Sequence, residues 1–389
     1  NGDDNTGEVN NINKPYKTWN AVKPQLQPGD AVIFRGGVYG RLTADNLKGT
    51  ANKPIIFMVY PGEKVVIDGG YDSIGVAYTS YLIFDGFILD NSKDEWGRGI
   101  NGHDYNHATF RNIESKGHAC GMHCGNDLHY ILVENCVFHD NLSSHGVYLG
   151  SREKAGSNVT VRNCIMYRNG RHGFQWNGMG TNLLVENNII HSNELGGISI
   201  LNGVSNSIFR NNLIFNNSRP GIILFNYSGS YYPAANQTDN FFINNLIWVG
   251  KYENAMGDTQ EYKSAVLFND GTDEGTFTFT NNVFRNNIFV TYSGVAFYFQ
   301  QHKHFPSTTI ENNIFYKMGK NPNIVMTSDK GDYDFDTFEN MSNLVKNNLL
   351  TDPKLTDASI DYNLNPEKFN FDYLSDSPAV NFGTTTDAP

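Results

Sequence analysis

Residues 183–201 read LLVENNIIHSNELGGISIL, and this stretch decides the fold. LLVE is a short apolar strand. Asn187 and Asn188 make a corner, NIIH is a second strand, SNEL a second turn, and GISIL a third strand. Alternate residues in each strand are apolar, the pattern of a strand with one buried face. The same sentence recurs up and down the chain. IFDGFIL (83–89), TFRNIES (109–115), LVENCVF (132–138), TVRNCIM (160–166), IFRNNLI (208–214), FINNLIW (242–248), VFRNNIF (283–289), IENNIFY (310–316) and VKNNLLT (345–351) align with it. Their equivalent residues are Gly86, then Asn112, Asn135, Asn163, Asn187, Asn211, Asn244, Asn286, Asn312 and Asn347. The Asn residues are spaced by 23, 28, 24, 24, 33, 42, 26 and 35 positions.

A base period near 24 holds three short strands and three turns. Asn at one turn of every coil can hydrogen-bond to the Asn above and below, and it tolerates left-handed backbone. These features predict an all-β chain: a right-handed, single-stranded parallel β-helix of ten or more coils with an Asn ladder. At an interstrand spacing of roughly 4.8 Å, ten coils make a rod of about 50 Å. A propeller blade needs a longer repeat and antiparallel pairing, and a leucine-rich repeat would carry Leu where this chain carries Asn.

Composition agrees with a turn-rich β protein. The 389 residues include 38 Gly, 21 Tyr and 26 Phe, and only 18% are charged. The net charge of -11 argues against nucleic acid or an anionic membrane as the main partner. No run of 18 apolar residues is present, so no membrane-spanning helix is expected. The chain starts at Asn1, consistent with loss of a signal peptide and a secreted or periplasmic location. Cys136 and Cys164 fall at equivalent repeat positions, where they stack, pair, or serve as small buried apolar residues.

The expected organisation is one β-helix domain over 1–389, acting as a monomer: a cap and first coils over 1–79, regular coils over 80–350 and a trailing segment over 351–389. Thr18 to Leu26 is expected as a short helix and AVIF (31–34) as a buried strand. Insertions at 150–158, 226–238, 249–263 and 269–277 all flank the GISIL-type strand, where long turns build the walls of a cleft. Residues 320–341 read as one more such excursion.

The ends of the chain carry a resemblance. QPGDAVIFRGGVYG (27–40), KGTANKPIIFMVYPGEKVVIDGG (48–70) and YLIFDGFILDN (81–91) look like the opening of bacterial right-handed β-helix polysaccharide lyases and epimerases. That group includes chondroitinase B, the alginate lyases and the pectate-lyase-like proteins. DPKL (352–355) and FNFDYLSDSPAVNFGT (369–384) resemble their C-terminal ends. The resemblance implies an extracytoplasmic enzyme acting on polysaccharide. The Asp-Pro-His motif of the alginate epimerases and the Asn-Thr-Asp and Gly-His-Gly signatures of polygalacturonases are absent.

Candidate residues follow from strand alternation. With Val147, Phe174, Ile198 and Ile222 inward, one outward column reads Asn101, His123, Tyr148, Gln175, Ser199, Ile223, Val266, Ala296. The next reads His103, Gly125, Gly150, Asn177, Leu201, Phe225, Phe268, Tyr298. Polar groups concentrate in residues 96–203, as a reacting centre would require, and apolar groups follow. β-Elimination at a uronic acid needs a base for the proton α to the carboxyl group and a partner for the enolate. His123 and Tyr148 are the expected base and acid, with Arg152, Gln175 or Asn177 near the carboxylate. Asn101, His103, Asn202, Asn226, Tyr227 and Tyr298 are the expected substrate contacts. His145 and His172 precede Gly at equivalent turns and serve either catalysis or the backbone. No metal is required, although Ca²⁺ could supply the neutralisation. Hydrolysis, the rival, needs two carboxylates, and Asp104, Asp127 and Glu153 follow the strand in successive coils. A glycan-binding β-helix without chemistry is the third reading. His118, Cys120, His123 and Cys124 have the residue types of a Zn²⁺ site, but alternation turns Cys124 inward when His123 faces out.

Overall fold

A computed structural model of the chain describes residues 2–91, 96–151, 153–226, 236–250, 264–270, 278–292, 294–357 and 370–384. They form a parallel β-helix. One sheet of 12 strands runs from Gly37–Tyr39 through Ile189–His191 to Leu349–Leu350. Two further strand rows complete each coil, and both are included in one 25-stranded sheet. The first holds GISIL-type strands such as Val147–Leu149, Phe174–Asn177 and Ile198–Leu201. The second holds strands such as Gly156–Arg162 and Gly180–Glu186. These rows are called the groove face and the back face below.

Like residues stack inside the rod. Phe57, Phe84 and Phe110 lie ring on ring at 4.7 and 5.2 Å, and Phe209, Phe242 and Phe284 at 5.0 and 4.5 Å. Each coil leaves an apolar face that only the next coil can cover, so the core is continuous along the axis. The back face carries an outward column of alternating charge: Asp85, Arg111, Glu134, Arg162, Glu186 and Arg210 pair in register. After Ile243 it resumes as Arg285, Glu311 and Lys346.

The two jobs assigned to the corner Asn fall to neighbouring residues. Asn112, Asn135, Asn163, Asn187, Asn211, Asn244, Asn286, Asn312 and Asn347 all hold positive φ, between 54° and 58°. Gly86 takes that corner at φ 90°. The hydrogen-bonded ladder runs through the next residue: Asn188, Asn212, Asn245, Asn287, Asn313 and Asn348, linked at 3.0 Å. A left-handed residue points its side chain outward, and the following residue turns in. A second ladder, absent from the expectation, joins Asn141, Asn169, Asn193 and Asn217 at the turn before the groove face. Cys136 and Cys164 continue the first ladder towards the N-terminus as buried free thiols.

Three other expectations change. Ala31–Phe34 forms a strand but buries only Phe34, because it belongs to the first coil and pairs on one side alone. Trp19, in the short helix Trp19–Val22, packs edge-on against Phe57 in the next coil. Residues 320–341 are an end cap, not a cleft wall. Ile324–Ser328 joins the groove face, Gly331–Asp334 folds back antiparallel on it, and helix Phe335–Glu339 buries Phe338 against Phe297, Phe305 and Phe315. Finally, Val266, Ala296 and Phe268 do not face outward. Val266 pairs with Ile222 and Phe297, and Phe268 with Leu224 and Phe299, all buried. The outward positions are Leu267, Asn269 and Tyr298, since a slip of one residue exchanges the two faces of a strand.

Candidate functional site

The groove face stacks Gly75, Asn101, His123, Tyr148, Gln175 and Ser199 in one column. A cleft of about 540 Å³ opens over its N-terminal part. Asn101, His103, His123, Tyr148, Glu153 and Asn177 line it, together with Tyr78, Arg98, Asp104, Asn126 and Ser151. Its wall comes from a corner that lengthens coil by coil. The coil of Cys120–Glu134 carries an irregular register between Gly125 and Leu128, with Asn126 and Asp127 at positive φ. In the following coil the corner extends over 150–155. There Ser151 Oγ donates to Asn126 Oδ1, and Lys154 Nζ reaches back two coils to Asp104 Oδ1 at 2.5 Å.

His123 and Tyr148 are directly paired in register, with their rings edge-to-face at 4.6 Å. Burial, and then the positive charge of Arg98, depress the His123 pKa to about 4, so the imidazole is neutral at pH 7. Asn177 Nδ2 donates to the Tyr148 hydroxyl at 2.5 Å, while Asn177 Oδ1 is buried without a partner among the described residues. Arg98 lies on the cleft and its side chain makes no hydrogen bond or ion pair with a described residue. Below it, buried Asp72 accepts from the Arg98 backbone N–H at 3.0 Å, from Asn101 Nδ2 at 2.8 Å and from Arg41 at 3.3 Å. Arg41, Asn101 and the backbone thus occupy this carboxylate, and among the described residues Arg98 is a cation on the cleft without a side-chain partner.

The remaining expected residues that the structure describes lie outside the cleft lining. His145 and His172 are buried and stacked on each other at 5.3 Å. His145 Nδ1 accepts from the His172 N–H, and His172 Nδ1 from the Gly196 N–H. Each ring therefore pins the corner of the next coil. Burial is the main reason that both resist protonation, His172 down to about 3. Gln175, Asn202 and Asn226 are buried beyond the cleft, and Tyr298 belongs to a coil near the C-terminal cap. Asp127 is exposed and bonded to His129 at 3.2 Å. Arg152 and Tyr227, and the insertions at 227–235, 251–263 and 271–277, lie outside the described residues.

Arg98, Asp72 and Tyr78 were not singled out from the sequence. A signal for Arg98 was present. Arg98-Gly-Ile, Cys120-Gly-Met, His145-Gly-Val and His172-Gly-Phe occupy equivalent positions, and the series simply extends one coil further back.

Among the described residues, no three His, Cys, Asp or Glu side chains gather as metal ligands. Two of the described acids at the cleft already have partners. Asp72 is committed to Arg41, Asn101 and the backbone. Asp104 is held below the usual carboxylate range, chiefly by its bond to Lys154. Cys120 Sγ points to backbone carbonyls and His118 Nε2 meets Ser73 Oγ, so the cysteine–histidine cluster does not converge.

A family model described as right handed beta helix region matches residues 63–247. No curated protein matches this sequence. Among solved structures, pectate lyase Pel9A is similar over 100% of this chain and 91% of its own, with TM-score 0.57 and 16% identity. The catalytic unit of a GH87 alpha-1,3-glucanase from Streptomyces thermodiastaticus matches over 85% of this chain and 64% of its own, with TM-score 0.57 and 14% identity. The A-module of mannuronan C-5 epimerase AlgE4 from Azotobacter vinelandii matches over 77% and 91%, with TM-score 0.51 and 15% identity. At such identities the likeness is one of architecture, and by its repeat, its ladders and these matches the chain is a right-handed parallel β-helix.

Proposed function

We propose that this chain is a secreted enzyme that cleaves a uronic-acid-containing polysaccharide by β-elimination in the cleft around His123 and Tyr148. The observation that carries this reading is the guanidinium of Arg98, without a side-chain partner among the described residues, beside a neutral imidazole and a phenol. Elimination asks for those three groups in one place. Arg98 binds the uronate carboxylate and stabilises the enolate. His123 removes the C5 proton, the C4–O bond breaks, and Tyr148 protonates the departing oxygen. A carboxylate docked on Arg98 also cancels the charge that opposes protonation of His123, so substrate binding itself makes the base stronger. The solved structures named above include a pectate lyase and an alpha-1,3-glucanase, and both share the fold.

Hydrolysis is the competing reading. Exposed Glu153 sits on the cleft wall, but Asp104 is tied to Lys154 and Asp127 to His129, so neither stands ready as its partner. Incubation with a panel of uronic polysaccharides separates the two. Elimination creates a conjugated double bond with ultraviolet absorbance. New reducing ends without that absorbance would overturn the lyase reading in favour of hydrolysis, and binding without cleavage would favour a glycan-binding rod. His123→Ala and Tyr148→Phe should each lower turnover by roughly 10²- to 10⁴-fold in a folded protein. Near-normal rates in both would refute the site.

A further inference from the structure

The corner that ends the groove-face strand takes a left-handed residue in several coils: Asn46, Asp104, Asn126, Gly178 and Asn202 hold φ of 65°, 51°, 52°, 91° and 61°, while the coil of Ser151 places its left-handed residue one position earlier, at Gly150. These are the types that tolerate it at least cost. Tyr78 stands in the same row, between Asn46 and Asp104, at φ 54°. A bulky residue held in this conformation is disfavoured unless something else rewards it.

Packing does not supply the reward. Tyr78 is 54% exposed and lines the cleft. Among the described residues its ring meets the edge of His103, at 5.0 Å and 87°, with the Lys154 ammonium in its neighbourhood. The neighbours in its row carry short side chains, and its hydroxyl has no partner among the described residues. Tyr81, His107 and Tyr130 make the contrast. They too are left-handed, but they stack on one another at 4.3 and 4.5 Å, which accounts for them.

We infer that Tyr78 is a sugar-stacking platform at the N-terminal end of the cleft. A pyranose ring presents polarised C–H bonds on one face, and these pack on the electron-rich face of a phenol. The ring would hold the sugar next to the one whose carboxylate meets Arg98. This inference rests on the polysaccharide reading above and deepens it by adding a binding position for a neighbouring, uncharged ring face.

The test measures binding apart from chemistry. Wild type, Tyr78→Asn and Tyr78→Phe are run through native gels loaded with polygalacturonate or polymannuronate, and their thermal midpoints are recorded. Tyr78→Asn installs the residue of the preceding coil, so its midpoint should not fall. Its affinity should drop roughly 3- to 10-fold, and Tyr78→Phe should restore it. Equal retardation of wild type and Tyr78→Asn overturns the platform, as does a lowered midpoint in Tyr78→Asn, which would make the ring structural. A wild type retarded by neither polymer overturns it as well. Retardation that is lost in Tyr78→Asn without any cleavage by wild type supports the platform and refutes only the elimination chemistry.

Discussion

Asn211 and Asn212 are adjacent, identical in type, and differ in what they hold. Asn211 sits at φ 55° on the outside of its corner. Replacing it with Ala forfeits only the tolerance for left-handed backbone, a cost of about 1 kcal/mol. The Asn212 side chain makes four buried hydrogen bonds. Its Oδ1 accepts from the backbone and side chain of Asn188 at 3.1 and 3.0 Å, and its Nδ2 donates to Val185 O and Asn245 Oδ1 at 2.9 and 3.0 Å. At about 1 kcal/mol each, Asn212→Ala should cost roughly 4 kcal/mol, and more where the partners cannot find water. Guanidinium denaturation of both variants, followed by far-ultraviolet circular dichroism, gives the comparison. Equal midpoints for Asn211→Ala and Asn212→Ala would refute the assignment of the ladder to the second Asn.

Acid should destabilise the rod in a defined window. Burial first of all holds His118, His123 and His191 near 4 and His172 near 3, against 6.5 when unfolded. The unfolded chain therefore binds protons first, so stability is complete above pH 6.5 and is lost as the pH falls towards 4, which denaturation midpoints across that range will show. Arg98→Met should raise the His123 pKa, read by nuclear magnetic resonance titration of the imidazole, while raising KM for a uronic polymer; an unmoved titration would break the proposed coupling. Gly180→Ala should destabilise by roughly 1–3 kcal/mol, because its Cβ would lie 2.5 Å from Trp176 Nε1. Trp176→Phe in the same chain should recover part of that loss in thermal melts.

The fold was legible because one physical constraint is written many times. Every coil must turn at the same corner and bury the same strand face, so a corner Asn and alternating apolar residues recur from Asn112 onward, with Asn-Asn pairs from Asn187 to Asn348. The pairing of His123 with Tyr148 followed from the same alternation, applied where coils keep their length. Alignment failed where insertions intervene: past 249–263 the count slipped by one, and Val266 and Phe268 moved from outside to inside. Arg98 escapes the sequence reading because its row, clear at His145 and His172, changes residue type at Cys120 and reaches Arg98 only one coil further back. The reach of Lys154 to Asp104 had no sequence signature, since periodicity describes the coils and is silent on how a corner insertion leans. His145 and His172 look catalytic in any list of residue types. Only their bonds to backbone N–H groups reveal them as pins.

The charged column on the back face has a bearing on how such a rod can change length. Each pair joins a half-exposed Arg to a mostly buried acid and contributes on the order of 1 kcal/mol. Together, though, Asp85, Arg111, Glu134, Arg162, Glu186 and Arg210 give the coils a parity. Excising one coil between them sets like charges side by side, Arg111 on Arg162 for instance, whereas excising two restores the alternation. Between Asp85 and Lys346 the uncharged rung is Ile243, and it lies between two arginines, Arg210 and Arg285. There the phase resets without repulsion. Over its first half, then, this rod can gain or lose coils smoothly only in twos, and Ile243 marks the joint at which an odd number fits.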